Sequence, residues 1–341
     1  MHLSRERTQE ILGQVNSSLW FANDKFDDGG ALFVEGFEEL CRKQTGFVFR
    51  GISISRNIPF SDECWLKFLA ILARYETAAE LFIQYTSIDI AGEEACRLIG
   101  SCQVKSLKMS NCSMTHPNTF TYAMEQGMGP KELCFVDRRA DSNTDVAQQL
   151  CFALRSSTGL AKLSLMVHAK ADEAQCHKIC LQLAQSLRKN SRATQSIILW
   201  FGPNLCEDDA DLVFDAISEH PSIVSFQFCS SNPSLDRGHR LSRLLSHNSH
   251  LEQLIAEPGI MKSDIWKSKI APRLEANTWN KRIATIRCQN HDLGFQAKLM
   301  GVILGRRTFH GMDAIYQALV RNIDLILASQ SDQQHTSVLC S

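Results

Sequence analysis

The sequence contains none of the short signatures of common catalytic machinery. It has no phosphate-cradling G-x-x-x-x-G-K-S/T loop, no dinucleotide-binding G-x-G-x-x-G, no G-x-S-x-G nucleophile elbow and no H-E-x-x-H zinc motif. Charge of one sign is also missing. Lys and Arg total 36 against 37 Asp and Glu, a net charge of −1, so no global field draws the chain to nucleic acid or anionic lipid. Long apolar runs are absent as well. The densest, Ile197 to Phe201 (IILWF), falls far short of the ~20 residues that cross a bilayer. The N-terminal MHLSRERTQEILGQV is charged and lacks the apolar stretch of a secretory signal. The expectation is an intracellular protein, cytoplasmic or nuclear, that is not an enzyme and needs no cofactor, metal or membrane.

Cysteine, by contrast, is plentiful. There are 13, scattered and odd in number, so they cannot all pair within one chain. Without a secretory signal they read as reduced thiols acting as small buried apolar residues.

The strongest positive signal is an internal repeat. Between Val104 and Val136 the chain runs through a strand-like SLKM, a turn, a short helical segment and a second strand-like ELCF. The same unit recurs. Taking the first apolar residue of each apolar-x-apolar strand gives Ile52, Leu81, Leu107, Leu133, Leu163, Ile197, Phe226 and Leu254. Their mean spacing is about 29 residues, a period typical of stacked strand-and-helix units. Helices fill the gaps: 62–74, 145–154, 172–187 and 208–218 each place apolar residues three or four apart on one face. Asp, Asn or Ser stands near most of their starts, where it can cap the first turn.

The units KSLKMSNCSM, KELCFV and AKLSLMV resemble the leucine-rich repeats of the ribonuclease-inhibitor-like class. The resemblance covers roughly residues 47–256. It implies an α/β solenoid, with a parallel sheet on the inner curve and helices on the outer one. Residues 1–46 are expected to be a helical N-terminal cap, 257–328 a helical C-terminal region and 329–341 a disordered tail. Proteins of this class are mostly interaction modules, so the resemblance implies a scaffold that binds a partner protein on its concave face.

Several constellations hold residue types used in chemistry. Cys176 and Cys180 are four apart, but they fall in the apolar stripe of their helix and read as core. Glu207, Asp208, Asp209 and Asp211 sit at a helix start, where the dipole favours negative charge. Asp137, Arg138 and Arg139 follow a strand and would lie on the rim, where a GTPase-activating protein of this class would place functional polar residues, but they read better as a solvated turn. Lys262 to Arg287 interleaves seven basic residues with Trp266 and Trp279, a composition that can bind single-stranded nucleic acid but more often marks a solvated helix face.

The most specific expectation concerns the exposed face of the sheet. Alternate residues of a strand point to opposite faces. One outward column is then Phe82, Lys108, Cys134, Ser164, Ile198 and Gln227. The next is Gln84, Ser110, Val136, Met166, Trp200 and Cys229. Cys134, Val136, Met166, Ile198 and Trp200 would form an apolar patch, the candidate partner site. The run from Ile197 to Phe201 is apolar throughout, so alternation alone leaves a one-residue slip open there, which would bury Trp200.

Overall fold

The computed structural model describes residues 2–136, 147–278 and 281, apart from 15, 23, 44–47, 77, 89, 148–149, 152–153, 156, 158, 168–170, 190–193, 233–234 and 236. The chain alternates strand and helix. Its elements are β1 (His2–Leu3), α1 (Arg5–Leu12), β2 (Ser18–Ala22), β3 (Lys25–Phe26), α2 (Ala31–Lys43), β4 (Phe49–Ser55), α3 (Asp62–Arg74) and β5 (Ala78–Gln84). There follow α4 (Glu93–Gly100), β6 (Ser106–Ser110), α5 (Pro117–Ala123), which runs into a wider π turn over Met124–Met128, β7 (Glu132–Val136) and β8 (Lys162–Met166). Then come α6 (Glu173–Lys189), β9 (Ser196–Phe201), α7 (Glu207–Glu219), β10 (Ser225–Ser230), α8 (Arg237–His247), β11 (Gln253–Ile255) and α9 (Pro258–Met261).

Nine of the strands form one sheet in the order β11-β10-β9-β8-β7-β6-β5-β4-β2. Every pair from β2–β4 through β8–β9 is parallel. Parallel neighbours need a crossover between them, and the helices supply it. This is an α/β repeat fold. Its register follows the anchors read from the sequence: Ile52 pairs with Leu81, Leu81 with Leu107, Leu107 with Leu133, Leu133 with Leu163 and Leu163 with Ile197. All six are buried.

Three of the four expected helices form where the apolar spacing places them, as α3, α6 and α7, while most of 145–154 lies outside the described residues. α3 covers the expected span, Asp62–Arg74, and Ser61 caps it by accepting the Cys64 N–H at 3.4 Å. The inward rows of the strands and the stripes of the helices are buried together. Phe37 of α2 stacks on Phe49 of β4 at 5.7 Å between ring centroids, and Phe214 of α7 meets Phe228 of β10 at 4.9 Å. Cys176 and Cys180 are fully buried on α6.

The N-terminal segment departs from the expectation of a helical cap. Alongside α1 and α2 it carries three strands, and β2 is the edge strand of the large sheet, with Leu19 opposite Ile52. Its SLWFA sequence alternates, burying Leu19 and Phe21 and exposing Ser18, Trp20 and Ala22. The pattern is too short to stand out beside the longer helical periodicities of α1 and α2.

The chain divides into two compact units, one of residues 1–223 with 227–235 and the other of 224–226 with 236–341. In the second, Asn277 donates to the carbonyls of Asn248 and Leu251 at 3.1 and 2.9 Å, and Arg273 to that of Ser242 at 2.9 Å. Its described part beyond β11 is helical as far as Thr278. The remainder of the expected C-terminal helical region, the tail 329–341 and the triplet at 137–139 lie outside the described residues.

Candidate protein-binding face

The parallel register stacks the outward residues of successive strands into continuous rows. One row runs Trp20, Ser53, Phe82, Lys108, Cys134, Ser164 and Ile198. The next runs Ala22, Ser55, Gln84, Ser110, Val136, Met166 and Trp200, of which Ser55 is buried. A third, toward the strand starts, includes Glu80, Glu132 and Lys162, with Glu132 opposite Lys162.

The ambiguous run at β9 takes the register that exposes tryptophan. Ile197, Leu199 and Phe201 are buried, Ile198 is half-buried and Trp200 is 41% exposed. Pairing with β8 fixes this choice, because Leu163 and Leu165 lie opposite Ile197 and Leu199. Cys134, Val136, Met166 and Ile198 are likewise half-buried on the outward face. The structure therefore brings the five expected patch residues onto three adjacent strands, β7, β8 and β9. Cys229, placed by sequence in the same outward row, is instead buried. Alternation ends at Phe228 on β10, whose last three residues are all buried.

Two further features of this face were not anticipated. Trp20 stands at the far end of the row that holds Ile198 and is 70% exposed. Six strand steps separate β2 from β9, about 29 Å of sheet at 4.8 Å per step. A helical cap over residues 1–46 would leave Trp20 no place on the sheet; β2 gives it one. The other feature lies at the strand ends. Arg56, Tyr85 and Asn111, each directly after a strand, all adopt positive φ, at 72°, 55° and 53°. Each still extends the ladder by one hydrogen bond, to the carbonyls of Gln84, Ser110 and Val136 at 2.9, 3.0 and 2.7 Å. Left-handed backbone costs a non-glycine residue roughly 1–2 kcal/mol, and the ladder bond offsets part of that. No glycine marks these turns in the sequence.

Charge on the face is sparse and balanced. Lys108 pairs with Glu80 at 2.9 Å across β5 and β6, both side chains substantially exposed, and Glu132 neighbours Lys162. The rest of the two rows is apolar, hydroxyl or amide.

Elsewhere, the acidic helix start and the cysteine pair meet. His177 Nδ1 on α6 lies 2.6 Å from Asp209 Oδ1 on α7. Asp209 is 1% exposed, and its second oxygen has no partner among the described residues. Cys206 caps α7 by accepting the Asp209 N–H at 3.4 Å. Burial, then the Asp209 charge, pushes the Cys176 thiol up to about 11 and that of Cys180 well above its usual range. Such thiols stay protonated and are poor nucleophiles. Among the described residues no group of three or more His, Cys, Asp or Glu is arranged to hold a metal ion. None of the eleven described cysteines is in a disulfide. Of the basic C-terminal stretch, Arg273 bonds the Ser242 carbonyl and Lys281 pairs with Glu252 at 2.6 Å, while Trp279, Arg282 and Arg287 lie outside the described residues.

No family model matches the chain, and no curated protein matches it. Among solved structures it is similar to one described as Leiomodin-1 Actin-Binding Site 2, at 15% identity and a TM-score of 0.41, over 51% of this chain and 94% of that one. No helix among the described residues is long and apolar enough to cross a membrane.

Proposed function

We propose that this chain is a leucine-rich repeat protein of the ribonuclease-inhibitor-like class, a capped solenoid that works as a non-catalytic scaffold. Its partner is a protein, held on the outward face of the sheet. The observation that carries this reading is the patch of Cys134, Val136, Met166, Ile198 and Trp200, gathered by register on adjacent strands. Apolar side chains grouped on a rigid exposed face mark binding surfaces more often than scattered ones do, and tryptophan is favoured where binding energy concentrates.

The composition of the face describes the partner. With two positive and two negative side chains in its registered rows, it offers little to a phosphate backbone or to a strongly charged protein. It suits a polypeptide surface with apolar anchors and a near-neutral, hydrogen-bonding surround. A partner that engages both Trp20 and Trp200 covers six strand steps.

The test is affinity capture from cell extract with the wild type, Trp200→Glu and Met166→Glu, after circular dichroism has shown that both variants keep their fold. The expected result is a protein retained by the wild type and lost from both folded variants. Retention of the same protein by both would move the binding site off this face.

A further inference from the structure

We propose that His220 makes the turn after α7 an acid-sensitive latch. The inference is independent of what binds the sheet.

α7 ends at Glu219, and His220 closes it by donating its backbone N–H to the Ile217 carbonyl at 3.2 Å. The side chain then turns inward and is 3% exposed. Its Nδ1 accepts the Ser222 N–H at 3.3 Å. A ring nitrogen that accepts a hydrogen bond carries no proton, so the neutral ring holds its proton on Nε2. That atom is buried and has no partner among the described residues. The site therefore fits one form of the ring, the neutral one with Nδ1 bare.

A second proton can go only to Nδ1, where it faces the Ser222 N–H, one donor against another. The bond is lost, and a cation is left in a buried site with no acceptor, which is unfavourable. Among the described residues, nearby charge does not relieve it. α6 contributes Arg188 and Lys189 at its end, and α7 contributes Asp215 and Glu219. Arg188 and Glu219 pair with each other at 3.5 Å on the exposed side. β9 (SIILWF) and β10 (SFQFCS) carry no charged residue. Burial alone acts on the ring and holds it below the ordinary imidazole range. The turn accommodates protonation by opening and releasing the ring to water.

The following repeat shows what the position does without titrating. Asn248 directly follows α8, is also buried, and its Oδ1 accepts the N–H groups of His250 and Leu251 at 2.8 and 2.7 Å. His220 and Asn248 each stand six residues before a strand anchor, Phe226 and Leu254. One turn is locked by an amide indifferent to acid, the other by an imidazole that is not.

The sign follows from burial. Above the ordinary histidine range the ring is neutral in both folded and unfolded chains, and no penalty arises. As pH falls through that range, about 6.5, the unfolded chain takes up a proton that the folded chain resists, so the folded state loses ground until its own ring titrates.

The experiment compares the full-length wild type with His220→Asn by urea unfolding between about pH 8 and about pH 5. The ratio of their unfolding constants is expected to hold steady at the alkaline end. Below about pH 6.5 it should rise against the wild type by up to about tenfold per pH unit. A ratio that stays flat across the range overturns the proposal. Should the variant fail to fold, the wild type still decides by NMR. The His220 ring is expected to titrate below a histidine in unfolded peptide, with the Ser222 amide signal shifting in the same step. A ring that titrates at or above that value while Ser222 stays unchanged overturns it equally.

Discussion

The residues beneath β2 to β5 and those beneath β8 and β9 are packed with different materials on one register. At the first end the core is a network of rings. Phe21, Phe26, Phe33, Phe37, Phe60, Trp65 and Phe68 lie within 5.0 to 6.3 Å of one another in successive contacts. Around α6 and α7 the filling is mostly aliphatic and sulfurous: Cys176, Ile179, Cys180, Leu183, Val213 and Ile217 are all fully buried, with Phe214 the one phenyl ring on either helix. The strands above both regions nevertheless pair in step, Ile52 with Leu81 at one end and Leu163 with Ile197 at the other. Register is therefore set by alternation and parallel pairing, and the identity of the filling is free to vary so long as the volume between helix and strand is occupied.

The contrast can be broken most severely at the aromatic end. Phe68 is fully buried and lies 5.0 Å from Phe60 and 5.5 Å from Phe37. Replacing it by Ala leaves a cavity too large for the remaining rings to close, and Phe68→Ala should cost about 3–5 kcal/mol in urea unfolding. A loss near 1 kcal/mol would show that the rings are loosely packed. At the sulfur end the requirement is apolarity more than bulk. Cys180→Ser keeps the size but buries a hydroxyl where Cys180 now makes core contacts, and should cost about 1–3 kcal/mol. A neutral result would mean that the site supplies a hydrogen-bond partner or admits water.

Thiol labelling sharpens the same comparison without mutation. Of the described cysteines, Cys134 and Cys206 alone are not buried. In the native protein these two are expected to react first with an uncharged thiol reagent, and Cys176, Cys180, Cys102 and Cys151 only on unfolding. Mass spectrometry of labelled peptides reads the order, and early modification of Cys102 or Cys151 would contradict their full burial. The smallest stability effects belong to the outward face. Trp20→Glu and Trp200→Glu should each change unfolding free energy by about 0.5 kcal/mol or less. A loss of several kcal/mol from Trp200→Glu would mean that its ring packs into the core.

Much of this organisation was legible in the chain. Strand anchors 26 to 34 residues apart, with Leu or Ile in each, carry the register of six strands, because each inward residue is apolar and each outward neighbour mostly is not. The patch residues followed from counting. What the sequence hid has physical causes. At Ile197 to Phe201 both faces are apolar, so only the partner strand decides which residues turn outward. β2 holds five residues with two inward side chains, too few to outweigh the helical spacing on either side. The contact of His177 with Asp209 joins residues 32 apart on neighbouring helices, and nothing local announces it. His220 reads locally as a surface histidine after an acidic helix end; its burial comes from the turn that follows.

The row structure of the sheet has an evolutionary consequence. A strand residue that points inward answers to two neighbouring strands and a helix, whereas the residue beside it answers to solvent or a partner. Point mutations along Trp20 to Ile198 and Ala22 to Trp200 can therefore accumulate without disturbing the fold. The outward side chains can drift from one lineage to another while the inward rows hold the architecture constant.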